Sequence, residues 1–99
     1  MIINGKTKKD TLTVKPEGRI DLDSSAELEK YLEENLDGIT SVVFDFRKVE
    51  YISSAGLRVL LSLNKKLGGK KECVTVEHLN DTVKSVFELT GFDEMFMLK

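Results

Sequence analysis

The chain has 99 residues, enough for one hydrophobic core and short for two. It is 40% hydrophobic and 32% charged, the composition of an ordinary globular domain, which we place over residues 1–99 as a single unit. A net charge of −2 supplies no global basic field for nucleic acid, and no apolar run approaches the roughly 20 residues that span a bilayer.

Met1–Lys9 and Asp10–Pro16 read as two short strands around a polar turn at Lys8–Asp10, with Leu12 and Val14 alternating against Thr11, Thr13 and Lys15. Pro16 lacks an N–H, so pairing is expected to break or lie at an edge there, with the strand resuming at Arg19–Ile20. In "DLDSSAELEKYLEENL", Ser24 with Glu27 three residues on fits a capping box, and Leu28, Tyr31, Leu32 and Leu36 recur at helical spacing up to Gly38. Ser41–Phe46, nearly all apolar, reads as a central strand covered on both faces. A helix is expected over about Ala55–Leu67 with Leu57, Leu60, Leu61 and Leu67 on its apolar side, and Gly68–Gly69 ends it.

Glu72–Val76 reads as a further strand that buries Cys73 as a small apolar residue, and Asn80 caps a helix carrying Val83, Val86, Phe87 and Leu89. Gly91 closes that helix, and "MFMLK" is a last short strand. The order β-β-α-β-α-β-α-β implies an α/β fold: a mixed, largely parallel sheet of about four or five strands with helices packed on it. One cysteine excludes an internal disulfide and fits a reducing compartment, so a cytoplasmic location is expected; the polar N-terminus does not read as a signal peptide.

The residues that carry chemistry converge on "VEYISSAGLRVLL", Val49–Leu61, where a strand meets a helix. One serine serves as an N-cap. A helix start also tolerates phosphate, and phosphorylation would add a charge of about −1.5 to −2. Gly56 in the first turn costs about 1 kcal/mol relative to Ala, so either a neighbouring element or another molecule must approach closely there. A nucleophile elbow is not matched, because Ile52 stands where a glycine is required two residues before Ser54, and His78 has no evident carboxylate orienter. Asp45, between Phe44 and Phe46, needs an exposed strand end or a hydrogen bond, and is expected to share an edge with Ser54. Asp21 and Asp23 read as turn and capping residues, and no calcium-loop spacing is present. No catalytic residue, metal ligand or cofactor-binding motif is assigned.

"GRID" at Gly18–Asp21, the strand–serine–helix joint, "GG" at Gly68–Gly69 and "LTGF" at Leu89–Phe92, in this order, resemble a STAS domain of the bacterial anti-sigma factor antagonist type. The resemblance spans nearly the whole chain. Aligned on Gly56–Leu57, the family pattern Asp-Ser-Ser/Thr/Ala-Gly-Leu makes Ser54 the phosphoacceptor and puts Ser53 where relatives carry Asp. Asp21 matches the acidic residue that precedes the family's first helix and lies near the acceptor.

The resemblance implies partner switching. The unmodified protein, a monomer when free, binds an anti-sigma factor that is also a serine kinase, through Asp21, Ser53, Ala55, Gly56 and Leu57, and so frees a sigma factor. Phosphorylation of Ser54 releases it, and a serine phosphatase resets it. Direct binding of nucleic acid and membrane insertion are not expected. The departure at Ser53 keeps a second expectation open: a scaffold that is never phosphorylated and regulates another complex, such as a transporter.

Overall fold

The structure, a computed structural model, describes residues 1–99. Its elements in chain order are β1 (Ile2–Lys8), β2 (Thr11–Ile20), α1 (Leu22–Asn35), β3 (Ser41–Asp45), β4 (Val49–Ile52), α2 (Ser54–Lys66), β5 (Val74–Glu77), α3 (Asp81–Thr90) and β6 (Met97–Leu98). A short 3₁₀ turn precedes β5 at Lys71–Cys73 and another follows α3 at Phe92–Glu94.

The sheet is ordered β1-β2-β3-β5-β6, with β4 joined to β2. Only the β1/β2 hairpin is antiparallel; β2/β3, β2/β4, β3/β5 and β5/β6 all run parallel. The α/β class and the mixed sheet follow the alternation of strand and helix patterns. Six strands form instead of four or five, because Val49–Ile52 is a strand in its own right.

β2 is the spine of the site. Its first half, Thr11–Val14, pairs with β3, and its last residues, Gly18–Ile20, pair with β4. Pro16 therefore does not interrupt the strand. It is buried within β2, opposite Ile3 of β1, between the stretch that pairs with β3 and the stretch that pairs with β4. The register slips at Gly18–Arg19, where Gly18 has φ +99°, a conformation glycine adopts without a Cβ penalty.

Burial alternates along the strands. Leu12, Val14 and Ile20 of β2, Val42 and Phe44 of β3, and Val74 and Val76 of β5 are buried, while Thr11, Thr13, Ser41, Val43, Asp45, Thr75 and Glu77 on the opposite face are only half-buried. The expectation that Ser41–Phe46 is covered on both faces is thus corrected. One face carries the core, and α1, α2 and α3 contribute Leu28, Leu32, Leu57, Leu60, Leu63, Val83 and Phe87 to the same cluster. Phe87 and Phe92 each meet the ring of Phe96 edge-on, which anchors the C-terminal turn beneath α3.

Two helix details differ from the sequence reading. α1 starts one turn earlier than Ser24 because Asp21 is its cap: the Ser24 amide donates to Asp21 Oδ1 at 3.0 Å and the Asp21 amide to Ser24 Oγ at 2.8 Å. The reciprocal box is Asp21–Ser24, not Ser24–Glu27. On α3, Val83 and Phe87 are buried but Leu89 is 87% exposed, off the face that meets the sheet. Cys73 is buried, and its thiol donates to the Leu67 carbonyl at 3.3 Å.

Candidate functional site

The site is built where two parallel strands end side by side. Ile20 of β2 is in register with Ile52 of β4, and the Ser53 amide donates to the Ile20 carbonyl at 2.8 Å. The next residues, Asp21 and Ser53, each turn out of the sheet to cap a helix. The N-termini of α1 and α2 consequently emerge together, which brings Asp21 beside the serine pair.

The two serines are committed differently. Ser53 is the N-cap of α2: its Oγ accepts from the Gly56 amide at 3.3 Å. Ser54 is the first residue of the helix proper, is exposed, and its hydroxyl makes no hydrogen bond within the chain. A free hydroxyl on a rigid helix start is available to an incoming group; a capping hydroxyl must first give up its bond.

The glycine has an inward explanation. Gly56 is buried, and a Cβ built on it would lie 2.7 Å from Ile20 Cγ2 and 2.7 Å from Ile52 Cγ1. The helix start sits directly on the two strand ends, and only glycine allows that approach. Leu57 is also buried, packed in the core cluster. Of the residues expected at a partner surface, Asp21 and Ser54 are exposed and Ser53 and Ala55 half-exposed, whereas Gly56 and Leu57 point into the protein. Of the two approaches the sequence left open at Gly56, the structure shows that of a neighbouring element, which corrects its expected place at the partner surface.

Charge at the site is set by Asp21. Hydrogen bonds from the Ser24 amide and then the Ser24 hydroxyl, with a smaller contribution from the nearby Arg19 cation, hold its carboxyl below the ordinary value of 3.8. Arg19 itself lies over the Tyr51 ring, 4.8 Å from the centroid.

β4 is braced by more than β2. The Asn80 side chain accepts from the Val83 amide at 2.7 Å to cap α3, and its Nδ2 donates to the Val49 and Glu50 carbonyls at 3.1 and 3.3 Å. The capping role is legible from sequence; the donation to β4 needs the fold. Leu22, Ser25, Ala26, Glu29, Ala55, Arg58 and Val59 line a groove of about 220 Å³ between the N-terminal halves of α1 and α2. Leu22 there is 74% exposed. Of the groove residues only Ala55 was expected from the sequence; for the α1 side the signal is the i, i+4 pair Leu22–Ala26 lying off the buried stripe of Leu28 and Leu32.

Asp45 stands apart from the joint. It accepts from the Arg47 amide at 3.0 Å and borders a polar groove with Lys15, Glu17, Arg47 and Lys48 that contains no residue of Ser53–Leu57. The expected hydrogen bond is present, but the structure does not bring Asp45 to Ser54. His78 is engaged elsewhere, with Nε2 2.9 Å from Arg47 Nη2 and no serine hydroxyl bonded to it. No three His, Cys, Asp or Glu side chains converge as a metal group would require. No helix is long and apolar enough to cross a membrane.

The family model described as "Mlab, STAS domain" matches residues 4–99. BtrV of Bordetella bronchiseptica, assigned as an anti-sigma factor antagonist, is 36% identical over 81 residues, which cover 81% of this chain and 70% of BtrV. The anti-sigma-F factor antagonist RsfB of Mycobacterium tuberculosis is 33% identical over 82 residues, covering 82% of this chain and 66% of RsfB. The chain therefore spans about two thirds of the length of these relatives. In fold it is similar to the anti-sigma factor antagonist SpoIIAA in its unphosphorylated form, with a TM-score of 0.84 over 99% of this chain and 88% of that one at 15% identity.

Proposed function

Because the chain belongs to the STAS domain family, among the anti-sigma factor antagonists, we propose that it works by partner switching controlled at Ser54. In this reading the unmodified protein, acting in the cytoplasm as a binding module and not as an enzyme, docks an anti-sigma factor that is also a serine kinase. Asp21, Ser53, Ser54 and Ala55 form the contact, while Gly56 and Leu57 fix the height of the turn from beneath. The kinase transfers the γ-phosphoryl group of ATP to Ser54 Oγ: the new P–O bond forms, the bond to ADP breaks, and the hydroxyl proton leaves. A serine phosphatase hydrolyses the ester and restores the binding form.

The observation that carries the reading is the division of labour between the serines. Ser54 is exposed with an uncommitted hydroxyl, whereas Ser53 caps the helix. A charge of about −1.5 to −2 added in the middle of a docking surface meets desolvation cost and repulsion. A loss of about 3 kcal/mol weakens binding more than a hundredfold, enough for release.

The test incubates the protein with the anti-sigma factor kinase and Mg-ATP, and locates phosphate by mass spectrometry. Phosphate on Ser54 is expected. Phosphate on Ser53 overturns the assignment of the acceptor, and no phosphate with a kinase that binds supports the scaffold expectation that Ser53 in the Asp position keeps open. In calorimetry Ser54→Ala retains affinity for the kinase and Ser54→Asp loses it; equal affinities argue against electrostatic release.

A further inference from the structure

We propose that Arg58 is the intramolecular counter-ion of a phosphate carried on Ser54, so that modification both adds charge at the joint and withdraws a cation from the groove between α1 and α2. This rests on Ser54 as the modified residue, as proposed above.

Ser54 and Arg58 are at i and i+4 on α2, on the same helix face. Side chains of an α-helix lean toward its N-terminus, so the long Arg58 side chain lies back over the turn that carries Ser54 and Ala55. Arg58 lines the α1–α2 groove with Ala55 and Leu22, the residues that flank the joint; Ser54 itself lies outside that lining. An acidic group N-terminal to a basic one at this spacing is the favoured orientation of such a pair.

Arg58 is also free to respond. It is exposed and forms none of the ion pairs in the structure, which join the N-terminus to Glu27 and Lys66 to Glu33. The one cation–aromatic contact belongs to Arg19. Glu29 borders the same groove, but no ion pair joins it to Arg58. A phosphate on Ser54 would carry more charge than Glu29 and stand at the favoured i, i+4 spacing from Arg58, so it is the stronger partner for the free cation. Asp21 and Asp23, at the start of α1, add negative charge on the other side of the joint and leave Arg58 as the compensating group on α2.

The consequence is a second component of release. A partner that docks across the α1–α2 groove meets Leu22, Ala55 and Val59 together with a free guanidinium in the unmodified protein. After modification it meets the same apolar floor with the cation already paired.

The test needs no kinase. Phosphoserine is installed at position 54 during translation, and the ³¹P resonance is titrated in wild-type, Arg58→Gln and Arg58→Lys backgrounds at low salt. The helix end and Asp21 act equally in all three, so differences report residue 58 alone. The second phosphate proton dissociates about twofold more readily with Arg58 than with Gln at that position, the size expected of an exposed i, i+4 pair. Arg58→Lys keeps most of the difference. Coincident titration curves for wild type and Arg58→Gln overturn the proposal, as does an Arg58→Lys curve that coincides with that of Arg58→Gln. Failure of the kinase to modify Ser54 would refute the phosphoswitch and leave these curves unaffected.

Discussion

Gly56→Ala separates an internal role for the glycine from a partner-facing one. The new methyl group would lie 2.7 Å from Cγ2 of Ile20 and 2.7 Å from Cγ1 of Ile52, against an ordinary contact of 3.4–4 Å. Both isoleucines are fully buried, so each must retreat into a filled core, or the first turn of α2 must lift off the strand ends. Overpacking of this kind costs about 1–3 kcal/mol. The gain in helix propensity is at most about 1 kcal/mol and is partial in a first turn. The net expectation is a loss of about 1–2 kcal/mol, or a fall in Tm of about 4–15 °C for a domain of this size. Thermal melts with matching urea titrations measure it on the isolated protein, without any partner. A variant as stable as the parent, or more stable, would refute the packing argument and return Gly56 to the surface.

The serine pair gives a second contrast on the isolated protein: Ser53→Ala removes the cap of α2 and costs about 1 kcal/mol, while Ser54→Ala stays within about 0.5 kcal/mol of wild type, both read from urea midpoints. Asp21 has a lowered pKa in the folded protein, so the stability it contributes is present above the ordinary carboxylate value of 3.8 and is lost as pH falls through the lowered one. Stability curves of wild type and Asp21→Asn therefore converge in acid, and parallel curves from about pH 5 to pH 2 would contradict the hydrogen-bond assignment. Asn80→Ala removes the α3 cap and both bonds to β4 and costs about 1–3 kcal/mol. Asn80→Asp keeps the acceptor for Val83 but not the donors, so faster amide exchange is expected in β4 while α3 stays protected.

The fold was legible where a local pattern had one physical meaning. Alternation in Thr11–Lys15 announced the strand, and Asn80 and Gly91 bounded α3 as helix signals do. It was less legible where partners lie far apart in sequence. Val49–Ile52 is too short to be distinguished from the run before it, and becomes a strand because Gly18–Ile20 offers it an edge. Pro16 reads as a strand breaker, yet it falls in the short stretch of β2 between the pairings with β3 and β4. The nearly apolar run Ser41–Phe46 suggested two covered faces, whereas Val43 and Asp45 on one of them are only half-buried. At the site, Asp21 and the serines were visible as residue types, but which serine caps and which way Gly56 faces depend on Ile20 arriving beside Ile52.

That geometry also bears on position 53, where the family resemblance implies Asp and this chain has Ser. Position 53 is an N-cap, and serine and aspartate are nearly equivalent there, since either oxygen can accept from the Gly56 amide. The structural half of the residue's work is therefore retained. What Ser53 lacks relative to Asp is a negative charge next to the proposed acceptor, worth about 0.3–1 kcal/mol at a helix start. The unmodified state forgoes that stabilisation, but the phosphorylated state is spared repulsion between a carboxylate and a dianion one residue apart. Asp21, fixed by Ser24 at the neighbouring strand end, remains as the carboxylate of the site. Serine at position 53 thus favours the phosphorylated form relative to aspartate, and a Ser53→Asp variant should lose more melting temperature when phosphoserine is placed at position 54 than the parent does. An equal or smaller loss on phosphorylation would mean that the two charges are screened from each other.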